Sequence, residues 1–321
     1  MAIRPRAAAP ACFCDPSLPD TLGALRQTSD VTDIGHSIEP LALVGTLLDN
    51  ALITTQSSAA LISSFGGYGA LQPSNGPLRL SRKGHRADIR FAASSQVRVT
   101  RNRHGVGSPA PISLTVLDAA GHVRHRVQVR TAADQMAVMS LEPSAPTHPG
   151  HSSELGSNVI PLAAIRAAKA DWTQQDAGRH LNDFLDRDGA TRLKCLPHMG
   201  RNRAWRVQAS ILPSFLTFLR DRRVGCARFV PTSGLMHMDV GTFDDVSELD
   251  DVIVTKSGRN TFSMDMKSIA SAWVTALGPV WQIELYDADG RAVAVIGADP
   301  HANTTIWRDM LSALPPARGA V

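Results

Sequence analysis

At 321 residues, 43% hydrophobic and 19% charged, the chain has the composition of a soluble globular protein with room for two domains, each able to bury a core. Its formal charge of +4, from 33 Lys and Arg against 29 Asp and Glu, is too even for a nucleic-acid binder, which concentrates cations in stripes between aromatics. Four cysteines (Cys12, Cys14, Cys195, Cys226) are too few for a disulfide scaffold and fit no zinc spacing. No apolar run is long enough to embed the chain in a membrane, and the Arg4/Arg6 start lacks the apolar stretch of a signal peptide, so a cytoplasmic chain with reduced thiols is expected.

In chain order, residues 1–18 read as a disordered tail. A first module, 19–141, opens with helices over Asp20–Arg26 and Glu39–Asp49, the second with Pro40 in its first turn. Short strands follow, interrupted at Gly66-Gly67, at Pro73-Ser74-Asn75-Gly76 and over Gly105–Pro109. Ile112–Val129 alternates on either side of Asp118-Ala119-Ala120-Gly121 and predicts a hairpin. Residues 142–158, rich in Pro, Ser and Gly, read as a linker. The second module, 159–321, begins with helices over Pro161–Trp172, Asp176–Asp188, Thr191–Leu196 and Pro213–Asp221. Strands over Val224–Val230, Leu235–Met238, Val252–Thr255, Thr261–Met266 and Ser271–Thr275 lead to a Trp281–Ile296 hairpin and a closing helix, Thr304–Leu314.

The two halves repeat one another. Asp118-Ala119-Ala120-Gly121 returns as Asp287-Ala288-Asp289-Gly290, each after an apolar run. Pro40-Leu41 matches Pro213-Ser214, Ala60-Leu61-Ile62 matches Gly234-Leu235-Met236, and Thr131–Pro143 matches Thr304–Pro316, all in the same order and at nearly constant spacing. Four such anchors imply a duplicated α+β unit in which each module is an antiparallel β-sheet flanked by helices.

The last stretch, Ile269–Val274, Ile283–Gly290, Trp307–Met310 and Leu314-Pro315, resembles the closing pattern of the HemS/ChuS-type haem-utilisation proteins, and Ile112–Val127 resembles its first-repeat copy. The resemblance runs over roughly residues 40–315. It implies the duplicated α+β fold and a cytoplasmic haem-binding protein for haem transport, or one that degrades haem b to release iron. Asp176–Leu185 with Asp188–Arg192 is similar to the family's ligand segment, and the match assigns His180 as axial ligand of the haem iron and Arg192 as a haem-contacting residue. Phe184, one turn on from His180, would supply an apolar bed, and His237 is a further candidate contact. Neutral imidazole ligates haem iron well, and a guanidinium pairs with a propionate or an iron-bound oxygen. The partners implied are haem, a haem ABC transporter and a reductase, with no nucleic acid.

The chain departs from the family in two strands. Asp239 stands where the family has His, His237 where it has Gln, and Asp265 where it has a cation. These changes motivate the alternative reading, a non-enzymatic binding or interaction module that has lost haem degradation. Other constellations read more plainly: Leu196–Arg203 as a basic loop, Thr100–His104 as a chance likeness to a family string, Cys195 and Cys226 as buried thiols, and Asp244–Asp251 as a solvated turn without calcium-loop grammar.

Overall fold

The computed structural model describes residues 21–72, 78–83, 86–92, 97–105, 111–144, 184–185, 190–278, 280–302 and 304–317. The first half gives α1 (Leu22–Thr28), β1 (Ser29–Gly35), α2 (Glu39–Gly45), β2 (Ala51–Gln56), β3 (Ala60–Gly66), β4 (Tyr68–Gln72), β5 (Leu78–Arg82), β6 (Ala87–Phe91), β7 (Arg98–His104), β8 (Ile112–Leu117), β9 (Val123–Val129) and α3 (Ala132–Met139). The second gives α4 (Ala190–Cys195), β10 (Ala204–Val207), α5 (Leu212–Asp221), β11 (Cys226–Thr232), β12 (Leu235–Gly241), β13 (Asp245–Leu249), β14 (Val252–Ser257), β15 (Asn260–Asp265), β16 (Ser271–Leu277), β17 (Val280–Tyr286), β18 (Ala292–Ala298) and α6 (Thr304–Ser312). No described helix is long and apolar enough to cross a membrane.

The strands form two nine-stranded antiparallel sheets, ordered β1-β7-β8-β9-β2-β3-β15-β14-β13 and β10-β16-β17-β18-β11-β12-β6-β5-β4. The α+β duplication is therefore present, and the orders correspond strand for strand. Each half supplies six strands to one sheet and a three-stranded meander to the other. The joins are β3 to β15, where Ile62 lies opposite Phe262, and β12 to β6, where His237 lies opposite Ile89. The repeated Asp-Ala-x-Gly motif has a physical cause. Asp118 accepts the His122 N–H and Asp287 the Arg291 N–H, both at 2.9 Å, while Gly121 and Gly290 take φ of 82° and 78°. A side chain in that left-handed region would be strained, so the turn keeps its glycine in both copies.

The expected hairpins appear as β8–β9 and β17–β18. Strands β1 and β10 were not expected from sequence. The acidic run read as a solvated turn is instead edge strand β13, paired to β14, and the turn residue is Asp250 at φ 55°. The 1–18 tail, the expected helix Pro161–Trp172 and most of the 142–158 linker lie outside the described residues, as does Asp176–Asp188 except Phe184 and Leu185, which are helical.

Two apolar cores lie where the sheets meet. One gathers Phe215, Leu219, Trp307 and Leu311 of α5 and α6 with Val230, Ile283 and Ile296 of the second sheet and Ile62 and Phe262 of the first. The other gathers Leu41 and Val44 of α2 with Ile53, Leu114 and Val127 of the first sheet and Tyr68, Ile89 and Phe91 of the second. Trp307 shows the local logic. It is 2% exposed, stands edge-on to Phe215 at 5.8 Å, and donates its indole N–H to the Trp281 carbonyl at 2.6 Å. Its apolar body is buried and its one polar atom is satisfied.

Between the sheets runs a buried polar chain. Tyr68 Oη meets His125 Nε2 at 2.6 Å, His125 Nδ1 meets Thr55 Oγ1 at 2.8 Å, and Thr55 Oγ1 meets His237 Nδ1 at 3.0 Å. Tyr68 and His237 belong to the second sheet, and Thr55 and His125 to the first. One assignment of neutral tautomers satisfies all three bonds: Tyr68 donates to His125, His125 to Thr55, and Thr55 to His237. Burial first, and then the Arg82 guanidinium, lower the His125 pKa to about 3, while burial raises that of Tyr68. Arg82 itself stacks 5.2 Å from the Tyr68 ring centre and donates to Ser64 at 2.8 Å. Because native His125 stays neutral where the unfolded imidazole protonates, its contribution is complete above pH 6.5 and is lost as pH falls toward about 3. Urea midpoints measured across that interval should fall steeply for the wild type and less for His125→Gln. Parallel curves would show that this imidazole is not the source of the acid sensitivity.

Candidate functional site

Strand alternation gives the second sheet two unlike faces. Cys226, Val230, Ile283 and Leu285 face α5, α6 and the other sheet. Ala227, Phe229, Met236, Tyr286 and Val295 face outward, and on them pack Phe184, Leu185, Cys195, Leu196 and Met199 from the segment around α4.

The centre of this outer face is a buried carboxylate. Glu284, on β17, accepts from Arg192 Nε at 2.8 Å and Arg192 Nη2 at 2.5 Å, a two-pronged pair with side-chain exposures of 0% and 3%. It also accepts from Thr275 Oγ1 at 2.5 Å, Gln282 Nε2 at 2.8 Å and Tyr286 Oη at 2.6 Å. Gln282, Glu284 and Tyr286 alternate along one strand, and Thr275 lies directly opposite Gln282 on β16. Burial, followed by the neighbouring Glu284 charge, holds the Tyr286 hydroxyl well above the usual tyrosine range, so it acts as a donor. The guanidinium lies 5.0 Å from the Phe184 ring centre and is sandwiched between aromatic and carboxylate. Trp273, on the same face, is partly buried against this cluster.

The structure brings together two of the residues expected from sequence, Arg192 and Phe184. His180 lies outside the described residues. His237 is fully buried, but its neighbours Met236 and Met238 face outward, so its ring points between the sheets to Thr55. A β-strand cannot present consecutive residues to one face, and His237 is thereby separated from Arg192 by the sheet itself. Sequence reading missed Glu284. Its signal was a polar Gln-x-Glu-x-Tyr alternation within an otherwise apolar, centrally placed strand. The repeat sharpens this: the residue at the same distance before the first-half turn is Thr115, which accepts from Asn102 Nδ2 at 2.6 Å. At that point the first outer face carries a buried arginine, Arg126, directly opposite Thr115, where the second carries the Arg192–Glu284 pair.

Removing one member of a buried pair leaves a charge without compensation and costs about 3–5 kcal/mol, whereas apolar replacement of both members is often neutral. Glu284→Ala should therefore lower unfolding free energy by about that amount, and Arg192→Met/Glu284→Leu should restore most of it. Denaturant midpoints check both. A single variant no less stable than the double would refute the pairing.

A helix clamped by an ion pair on the outer face of one of two strand-sharing sheets defines a duplicated two-sheet α+β protein with one specialised half. Residues 189–314, which contain α4 through α6, match the model of the haemin-degrading HemS.ChuX domain. The hemin transport protein HemS of Yersinia enterocolitica is 25% identical over 279 residues, covering 81% of this chain and 79% of HemS. Holo-PhuS, a heme-binding protein from Pseudomonas aeruginosa, shares the fold at TM-score 0.75 and 17% identity, covering 92% of this chain and 93% of PhuS. ChuS, an E. coli heme oxygenase, does so at TM-score 0.74 and 15% identity, covering 89% of each chain. The second half thus matches the HemS.ChuX domain, and over most of its length the chain is similar to HemS and shares the fold of PhuS and ChuS.

Proposed function

We propose that this protein binds haem b on the outer face of its second sheet, beside α4, with His180 as the axial ligand, and serves haem transport and utilisation in the cytoplasm. The observation that carries the reading is the coincidence of the family match with the specialised face: residues 189–314 include Arg192 and the strands that bear Glu284, Tyr286 and Trp273. The macrocycle supplies four nitrogens to its iron, so a single imidazole is a sufficient protein ligand. His180 precedes Phe184 by four residues in the sequence, and Phe184 lies against the Arg192 guanidinium. In this reading Arg192 works mainly as an anchor. Its charge is already balanced by Glu284, and the pair holds the ligand-bearing segment against the sheet. Haem arrives from a haem ABC transporter and leaves to a reductase-assisted or downstream step.

A second reading, in which haem is carried but not degraded, is favoured by the fate of the substituted family positions. Asp239 is turned inward, paired with Arg228 and accepting from Asn260 at 2.6 Å. Asp265 accepts from the Lys267 N–H at 3.0 Å and the Ser268 hydroxyl at 2.6 Å, closing a turn. Both acids have structural work, and neither offers a cation to a substrate.

Haem titration followed at the Soret band tests the binding claim. Wild type should give a sharp, saturable shift that weakens at least about tenfold in His180→Ala, a loss of about 1.4 kcal/mol or more. Indistinguishable titrations would reject His180 as ligand. Incubating the loaded protein with ascorbate then separates the two readings: a stable Soret band marks a carrier, and its loss with a linear tetrapyrrole product marks a degrading enzyme.

A further inference from the structure

Trp273 carries a polar atom that the protein itself does not use. Its ring packs against the outer-face cluster that includes Phe229, Tyr286 and Val295, yet its indole N–H is shielded from solvent and meets no acceptor among the described residues. A buried tryptophan ordinarily satisfies that donor, as Trp307 does through the Trp281 carbonyl. An orphaned donor is costly for as long as it stays unpaired. Glu284, directly opposite Trp273 on β17, is not its partner, because that carboxylate takes its bonds from Arg192, Thr275, Gln282 and Tyr286. Arg206 stands on the other side. It lies directly opposite Trp273 on edge strand β10, and such residues leave one face with Cβ atoms about 5 Å apart. Ala204, two residues earlier on β10, belongs to the same outer cluster. Arg206 is exposed and donates to the Ala270 carbonyl at 3.2 Å, and among the described residues it pairs with no carboxylate.

The strand ladders of the first half supply a comparison at the same positions. Thr100 lies opposite Thr115 as Trp273 lies opposite Glu284, and Asp33 lies opposite Thr100 as Arg206 lies opposite Trp273. Where the second half has an unused donor and a cation, the first has a hydroxyl that already donates to Asn102 at 3.3 Å and an acid held by Arg98. The fold is built without Trp and Arg at this margin in one copy. Their presence in the other is a property of that face.

We propose that Trp273 and Arg206 form a carboxylate subsite that receives a propionate of the bound haem, the indole N–H donating to it and the guanidinium balancing its charge. A neutral acceptor would satisfy the indole and leave the cation idle, whereas a carboxylate uses both, and its bonds to them are charge-assisted. The rim of haem b bears methyl, vinyl and propionate groups, of which only the propionates accept hydrogen bonds. The subsite presupposes the haem binding proposed above and deepens it: the propionate edge of the macrocycle faces β10 and β16, and its apolar edge faces the Phe229 and Met236 side of the sheet.

The test titrates the full chain with haemin and with haemin dimethyl ester, which keeps the iron and the ring but not the carboxylate charge. Wild type should bind haemin at least about tenfold more tightly than the ester. Trp273→Phe and Arg206→Gln should each weaken haemin binding about fivefold and leave ester binding unchanged, so that the preference shrinks. Arg206 is exposed, so Arg206→Gln reads the effect in an undisturbed fold even if Trp273→Phe loosens the packing. The Trp273 indole N–H resonance, assigned by its loss in Trp273→Phe, should move further downfield with diamagnetic gallium protoporphyrin than with the dimethyl ester of that porphyrin. A wild type that does not distinguish haemin from its ester, or variants that keep the wild-type preference, overturns the subsite and leaves haem binding through His180 standing. Wild type that binds neither compound saturably overturns the haem reading, and the subsite with it.

Discussion

A carboxylate buried with five donated hydrogen bonds around it is the constraint on which the specialised half depends. Glu284 occupies the middle of β17, and desolvating it would be prohibitive without Arg192, Thr275, Gln282 and Tyr286. Because Arg192 comes from α4 and the rest from the sheet, satisfying the charge fixes the helix on the strands. An apolar contact could slide by a fraction of a turn, whereas a two-pronged pair has one geometry. The energetic gain over a well-packed apolar pair is small, and positional definition is the larger effect. Such definition is what the proposed role of His180 would require of the segment before α4.

The same logic runs through the interior. The halves share their sheets, each lending a three-stranded meander to the other, so the strands of one repeat cannot shift without displacing the other's. Polar side chains mark these junctions. Tyr68 on lent strand β4 reaches His125, and Asn260 on lent strand β15 reaches Asp239. Apolar packing would bury such surfaces about as well, but hydrogen bonds between named partners add register. Duplication then gave two equivalent outer faces that diverged: Thr115, bonded to Asn102 and opposite Arg126, on one, and Glu284 paired with Arg192 on the other.

Much of this architecture was legible in the sequence, because the features that encode it are local. Asp118 and Asp287 with their glycines specify the same turn twice, and alternation around them specifies the hairpins. Strand exchange was not legible. β4–β6 and β13–β15 read as further strands of their own modules, and no local pattern states which sheet edge a meander will join. β13 was missed because Asp245 and Glu248 lie on an exposed edge strand, where acids are tolerated and the apolar alternation is lost. Among site residues, Arg192 was identified through its place in a motif, but its partner lies 92 residues away, on a strand whose polar face reads as noise until the sheet is assembled. His237, which stands where the family has Gln, is turned by strand parity toward Thr55, an orientation that its sequence position alone does not state.

The account stands most directly on where haem sits. Amide resonances recorded with ferric haem and with a diamagnetic porphyrin of the same shape would map the paramagnetic iron onto the chain. Broadening confined to the backbone around Phe184–Cys195 and to Trp273–Tyr286 is the predicted result. Broadening centred instead on Arg98–Leu117, on the equivalent face of the first sheet, would contradict it, as would broadening that follows no single face.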